Sequence, residues 1–481
     1  MPLPDLDSIV VDAAPRFELS PHLFMQFMEP LGATDGSVEA AWDHQSTCWR
    51  PDVVEATRSL APGMIRWGGC LSSYYRWLEA VGPREQRQPM RNLLWGGIES
   101  NQVGTVEFVD FCRQVGAEPL LSVNFESDGR RAWAQPRVGG SRSAGPEEAA
   151  AWVSYCNRAE DARRLSHGIR EPLGVRCWQI GNETSYDKDG YDLETAARRT
   201  VAFARAMREV DAGIRLIGWG DSGWAARMSE VAGEHLDLLA FHHMFHPSPD
   251  DPVLDGTNYR QHPQRAWDAL MEAPAIHERK LSSMREQVQG TGLKLAMTEC
   301  HFTIRGRDRG DVMSSWAVGV AYARMLHLHE RHGDLLNIAT LSDFCGTRWQ
   351  VNSIMIPTPS GRAYLLPVAH VMRLYRQHGG EQAASVLACP EGLDVTASRT
   401  GNRLFLHVVN TRREQSIDAR LEAQGFGVLS GRCFEIAADP QLEVLESSPD
   451  VLQAHEKPLA DGVWSFPAAS VSAIELELSP R

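Results

Sequence analysis

Two glutamates stand where chemistry could be done. Glu183 closes the run Trp178-Gln-Ile-Gly-Asn-Glu183, and Glu299 closes Lys294-Leu-Ala-Met-Thr-Glu299. Each follows a short apolar stretch that ends in polar residues, the pattern that sets a carboxylate at the rim of a buried strand. A pair of carboxylates opening onto one cavity can cleave a glycoside: one gives a proton to the leaving oxygen, the other handles the oxocarbenium-like carbon. Singly, each glutamate is more often a helix N-cap or an ion-paired surface group. The case rests on the pair. Two further apolar runs also end in polar residues, at Trp67-Gly-Gly-Cys70 and His242-His-Met-Phe245.

The elements that must position these residues are legible as alternating apolar runs and segments of helical period. Eight strands are predicted, at Leu23–Phe27, Met64–Gly68, Pro119–Phe125, Val175–Ile180, Ile214–Trp219, Leu236–Phe241, Lys294–Met297 and Ile338–Leu341. Helical patterns lie between them, at 105–116, 147–159, 194–210, 263–289, 312–332 and 363–377; Gly116 supplies a C-terminal stop to the first. Eight strands with intervening helices and no Gly-rich phosphate turn predict an α/β fold, a closed (β/α)8 TIM barrel, whose active site opens at the C-terminal ends of the strands. Glu183 and Glu299 then close strands four and seven. After about residue 378 the period changes to that of strands, and a C-terminal all-β sandwich is expected. The predicted division is a barrel over 20–377 and a sandwich over 378–481, joined by the N-terminal residues 1–19 through Ser8–Val11.

Bulk properties narrow the partners. A net charge of −14 with no Lys/Arg-rich run argues against a nucleic-acid partner. A neutral sugar is compatible with that balance. The N-terminal segment has no basic n-region or long apolar h-region, and no apolar run reaches membrane-spanning length, so a cytoplasmic protein without a membrane partner is expected. Nine scattered cysteines do not form a disulfide framework.

Around these residues the chain resembles glycoside hydrolase family 51, whose best-known members are α-L-arabinofuranosidases. The resemblance is carried by Phe27-Met-Glu29, Ile65-Arg-Trp-Gly-Gly69, Gly116-Ala-Glu-Pro119 with Val123-Asn124, Trp152-Val-Ser-Tyr-Cys-Asn157 and Trp178-Gln-Ile-Gly-Asn-Glu183. It implies a retaining hydrolase of a non-reducing terminal glycoside, with Glu183 as acid/base, Glu299 as nucleophile, Asn182 on the hydroxyl beside the anomeric carbon and Glu29 on other sugar hydroxyls. It also implies a homo-oligomer, plausible as a hexamer, and an oligosaccharide or glycoside substrate, with no cofactor. Glu183 must begin protonated, so its surroundings are expected to hold its pKa up.

Departures from the family pattern bear on the sugar. Cys70 replaces a substrate-contacting Asn, Phe245 stands for the Tyr of a His-x-Tyr motif read here as His243-Met-Phe245, and Cys300-His301 replaces Trp-Asn. Lost hydrogen bonds of this kind change discrimination more than reaction type. An α-L-arabinofuranoside is thus the leading substrate, another furanoside or a pyranoside the alternative, and a non-catalytic carbohydrate-binding barrel the reading from another class. Cys70, His242, His243, Cys300 and His301 also raise a soft-metal site, but match no zinc motif, and no metal is expected. Trp67, Tyr74, Trp77 and Trp95 are read either as a platform for a sugar ring or as the packing of a long loop.

Overall fold

The computed structural model describes residues 7–31, 37–306, 310–357, 361–459 and 462–480; residues 1–6 of the predicted N-terminal join lie outside them. Eight parallel strands form the barrel: Gln26–Met28, Met64–Trp67, Glu118–Val123, Cys177–Ile180, Arg215–Trp219, Leu238–Phe245, Lys294–Phe302 and Leu336–Ala339, here strands one to eight. Pairing runs unbroken from strand one to strand eight, and the Met25 amide closes the ring by donating to the Ala339 carbonyl at 2.9 Å. All eight lie at or within a few residues of their predicted positions. The (β/α)8 barrel with a C-terminal β-sandwich is the fold.

A helix follows each strand. Six lie in the segments of helical period; Pro51–Leu60 and Ala225–Ala232 complete the ring. The helix Thr105–Val115 ends as the sequence dictates, on Gly116 in the left-handed conformation (φ 78°). Inside the barrel a dry layer of Met25, Met64, Leu120, Ile217, Ala296 and Ile338 fills the lower end. This plug leaves the opposite end, at the strand C-termini, for polar groups.

Two features outside the simple repeat shape the rim. After strand eight the chain forms Asp343–Gly346, which pairs with strand one through Asp343 and Phe27. Strand seven runs longer than its apolar stretch, and its register against strand six shifts between Phe241 and His242, so that His242 faces Glu299 while Thr298 is passed over. That is a β-bulge, which turns the side chains beyond it.

The sandwich has its own core of Ile9, Val395, Leu406, Leu421, Phe466 and Ile474. Strand Gln382–Ala388 serves both of its layers, pairing with Leu393–Thr400 through its first half and with the N-terminal strand Ser8–Asp12 through its second. Ser8–Asp12 also pairs with Ile417–Ala423. The junction with the barrel joins apolar packing to buried charge: Val409, Ile436, Val471 and Ala473 of the sandwich belong to the barrel's hydrophobic core, Asp394 receives Arg324, His327 and Arg331 from the helix Trp316–Arg331, and Glu330 of that helix meets His407 at 2.7 Å.

Candidate active site

The polar end of the barrel holds a cavity of about 460 Å³ lined by Glu29, Cys70, Trp95, Glu183, Glu299, His301, Asp343 and Trp349, with Phe27, Leu94, Met244, Thr303 and Ile304. Its two central carboxylates are held differently. Glu299 faces Arg66, a fully buried guanidinium on strand two, at 2.8 Å. Arg66 also donates to Gln179 at 2.9 Å and to Asn182, so a single side chain braces strands four and seven from within the barrel.

Glu183 lies just beyond strand four with φ 54°. Gly181 before it has φ 81°, and a Cβ there would lie 2.8 Å from Thr184 Oγ1. Left-handed backbone at a non-glycine residue is strained and persists only where surroundings enforce it. Here Arg130 donates to the Glu183 carbonyl at 2.7 Å, while the buried Asp128 accepts from Thr184 Oγ1 and the Asn182 amide.

His242 joins the two glutamates. Its Nδ1 lies 3.0 Å from Glu183 Oε1 and 3.6 Å from Glu299 Oε2, and its Nε2 lies 3.0 Å from Thr298 Oγ1. An oxygen of Glu183 and an oxygen of Glu299 fall within 4.8 Å of each other. Behind His242, its backbone amide donates to Asp221, which also accepts from the Tyr186 hydroxyl and pairs with Lys280. The second oxygen of Glu183 lies 3.3 Å from Cys70 Sγ, and the Cys70 amide donates to Glu29 at 2.7 Å.

Burial pushes the Glu183 carboxyl up, but the hydrogen bond and field of His242, the Cys70 thiol and Arg130 outweigh it and leave the group below its ordinary value. The unliganded pocket therefore favours the carboxylate, contrary to the protonated state expected for Glu183. Glu29 behaves oppositely. Burial and the charge of Glu299 hold it well above the carboxylate range.

Glu29, Cys70, Glu183 and Glu299 line the cavity, and Asn182 is held behind them with its Nδ2 lacking a partner among the described residues. His243 and Phe245 do not line it, which corrects their reading as substrate-binding residues. Plain alternation along strand six, continued from Leu238 and Ala240 in the barrel interior, turns His242 and Met244 inward and leaves His243 and Phe245 on the outer face, where they stack at 4.2 Å and His243 hydrogen-bonds His277 at 2.8 Å. The strand-six residues that face the site are therefore His242, beside both glutamates, and Met244, in the cavity wall.

Of the soft-metal candidates, Cys70 and His301 line the cavity, whereas His243 and Cys300 lie outside it beside His277. Ligand atoms of His243, His277 and Cys300 lie within 4.8 Å of one another, and both His277 nitrogens are engaged, Nδ1 with His243 and Nε2 with His329 at 2.9 Å. Of the aromatic candidates, Trp95 reaches the cavity and meets Trp349 edge-on at 5.2 Å. Trp67, Tyr74 and Trp77 are buried packing residues. Sequence reasoning missed the roles of Arg66 and Gln179, although a charged residue within the run Met64-Ile-Arg-Trp67 is a signal in itself.

Residues 56–265 match the family model described as the alpha-L-arabinofuranosidase 1 domain. The probable alpha-L-arabinofuranosidase C of Aspergillus niger is 31% identical over 233 residues, 46% of this chain and 43% of that protein. The intracellular exo-alpha-(1->5)-L-arabinofuranosidase of Acetivibrio thermocellus is 29% identical over 252 residues, 49% of this chain and 47% of its own. The chain thus spans somewhat less than half the length of the curated relatives it matches. In fold, the arabinose complex of the α-L-arabinofuranosidase from Thermotoga maritima superposes with a TM-score of 0.76 at 24% identity, covering 98% of this chain and 99% of that one.

Proposed function

We propose that this chain, an α-L-arabinofuranosidase-like protein of the glycoside hydrolase family 51 type in sequence and fold, is a retaining glycosidase that releases a non-reducing terminal α-L-arabinofuranosyl residue. The observation that carries the reading is the approach of Glu183 and Glu299 to within 4.8 Å. Retaining enzymes hold their carboxyls roughly 5–5.5 Å apart for direct attack, whereas inverting ones leave room for a water at about 6.5–9.5 Å.

In this reading a Glu299 oxygen attacks the anomeric carbon as the bond to the leaving oxygen breaks, and Glu183 gives its proton to that oxygen. The Glu183 carboxylate then takes a proton from water, whose oxygen attacks the same carbon and frees Glu299. Arg66 holds Glu299 by an ion pair and keeps its oxygens in place. The depressed Glu183 value suits the second half of this cycle, which begins from the carboxylate. Asn182 supplies an unpaired amide for the hydroxyl beside the anomeric carbon, and Glu29, its carboxyl biased toward the protonated form, binds further hydroxyls.

Hydrolysis of 4-nitrophenyl α-L-arabinofuranoside tests the activity, and NMR of the first-formed sugar tests retention. Glu299→Ala and Glu183→Ala are each expected to lose at least about 100-fold in kcat, and azide should rescue Glu299→Ala with an inverted glycosyl azide. First-formed sugar of inverted configuration, or either variant at wild-type rates, sinks the assignment. Binding of arabino-oligosaccharide with no cleavage by the wild type would favour the non-catalytic reading.

The same reading divides the chain into a barrel over 20–377 and a sandwich over 378–481 joined by 1–19, and makes the protein a cytoplasmic homo-oligomer. An intracellular relative supports the location. Among the described residues no helix is long and apolar enough to cross a membrane. Light scattering measures the oligomer, and a monomer at micromolar concentration removes that part.

A further inference from the structure

Cys70 stands between two carboxylates. Its amide donates to Glu29 Oε1 at 2.7 Å while its Sγ lies 3.3 Å from Glu183 Oε2. The preceding Gly69 makes this placement possible: at φ 102° the backbone passes so close to Glu29 that a Cβ would lie 2.3 Å from its carboxyl carbon. The Cys70 thiol is therefore aimed by backbone geometry and lines the cavity wall beside the oxygen it touches.

We propose that Cys70 is a positioning residue for the acid/base step, its thiol orienting Glu183 Oε2 and setting how readily that oxygen takes up and releases a proton. The proposal rests on the reading of Glu183 as acid/base. Burial, and the charges of Glu183 and Glu299, push the thiol well above its ordinary range, so the sulfur stays S–H and donates to the carboxylate. When Glu183 is protonated on Oε2, its O–H can donate back to the sulfur. One contact thus serves both states of the cycle.

The chemistry of sulfur decides the direction of the effect. An S–H group is a weak donor, so it stabilises the Glu183 carboxylate less than a hydroxyl or amide N–H in its place would. Other groups act on Glu183 from different sides: His242 on Oε1 from strand six, Arg130 on its backbone carbonyl, the like charge of Glu299 from strand seven, and the buried carboxyl of Glu29, biased toward its neutral form, from the end of strand one. The Tyr186 hydroxyl, bonded to Asp221, lies within range of its charge. Among the described residues, Cys70 alone is hydrogen-bonded to Oε2.

The test is the pH dependence of kcat/KM for Cys70→Ser, Cys70→Ala and wild type, on 4-nitrophenyl and on methyl α-L-arabinofuranoside, together with the infrared S–H stretch isolated by subtracting the Cys70→Ser spectrum. Serine, the stronger donor, is expected to move the alkaline limb down by at least about 0.5 pH unit and alanine to move it up by a similar amount. Losses should be larger on the methyl glycoside, which needs more help from the acid. The S–H band of Cys70 should shift in Glu183→Gln. Coincident alkaline limbs in all three proteins, or an S–H band indifferent to Glu183→Gln, overturn the proposal even if kcat changes. A variant that does not fold leaves the infrared comparison of wild type with Glu183→Gln to decide.

A failure of the underlying reading looks different. If Glu183→Ala shows no loss that deepens with poorer leaving groups, Glu183 is not the acid, and the role proposed for Cys70 falls with it.

Discussion

A guanidinium sealed inside a barrel is costly unless its charge is paired and its nitrogens are hydrogen-bonded. Arg66 uses each of its three nitrogens, on Gln179, Glu299 and Asn182, and pairs its charge with a carboxylate. Arg66→Met leaves the Glu299 charge without its partner, and a loss of about 3–5 kcal/mol of stability is expected from chemical denaturation, with kcat falling at temperatures where the variant is still folded. His242 offers a second test. Because His242 opposes the effect of burial on Glu183, His242→Gln should move the alkaline limb of kcat/KM to higher pH, since the protonated acid then survives further into the alkaline range. A limb unmoved in this variant would mean that His242 does not govern Glu183. At this scale the strand-end glutamates are visible in sequence because an apolar run ends on them. Arg66 is hidden, since its partners come from strands four and seven and only the closed barrel brings them together.

Elements carry the strain that residues use. Gly181→Ala must place a Cβ at 2.8 Å from Thr184 Oγ1 with φ near 81°, which should cost about 1–3 kcal/mol and displace Glu183. The expected outcome is a lower melting temperature and a lower kcat, with the circular dichroism of the folded protein retained; wild-type kcat would show that the turn does not position the acid. The eight strands are legible because each buries a compact apolar run that needs no neighbour to be recognised. Strand six shows where that signal ends. Its apolar run Leu238-Leu-Ala-Phe241 is buried on both faces, so the run does not reveal which alternate residues, Leu238 and Ala240 or Leu239 and Phe241, face the barrel interior, and the His242-His-Met-Phe245 tail inherits that phase unseen. In the sandwich, His455–Pro458 and Val463–Phe466 carry little sequence signal for a related reason: the first is exposed throughout and the second is only four residues long.

Across the molecule, the junction of barrel and sandwich sets buried charge beside a shared apolar core. Asp394 is desolvated, which raises its pKa, yet His327 and Arg331 more than compensate and hold it far below the carboxylate range. Its folded value therefore lies below its unfolded one, so the stability it contributes is complete above about pH 4 and is lost as pH falls through the folded value. Asp394→Asn should melt earlier than wild type at neutral pH, with the gap closing only in strong acid; a gap that closes already near pH 6 would assign the effect to another group. The same junction joins parts of the chain far apart in sequence, and Ser8 pairs with Arg420 across the sandwich. During synthesis on a ribosome, Ser8–Asp12 emerges early but must wait for both of its partner strands, Gln382–Ala388 and Ile417–Ala423, until the barrel segments have been made. Throughout that interval it is an unpaired strand edge of Ser-Ile-Val-Val-Asp, able to pair with the wrong chain. Crowded expression should therefore lose yield to aggregation through this segment, and slower translation or a chaperone that shields nascent strands should recover it.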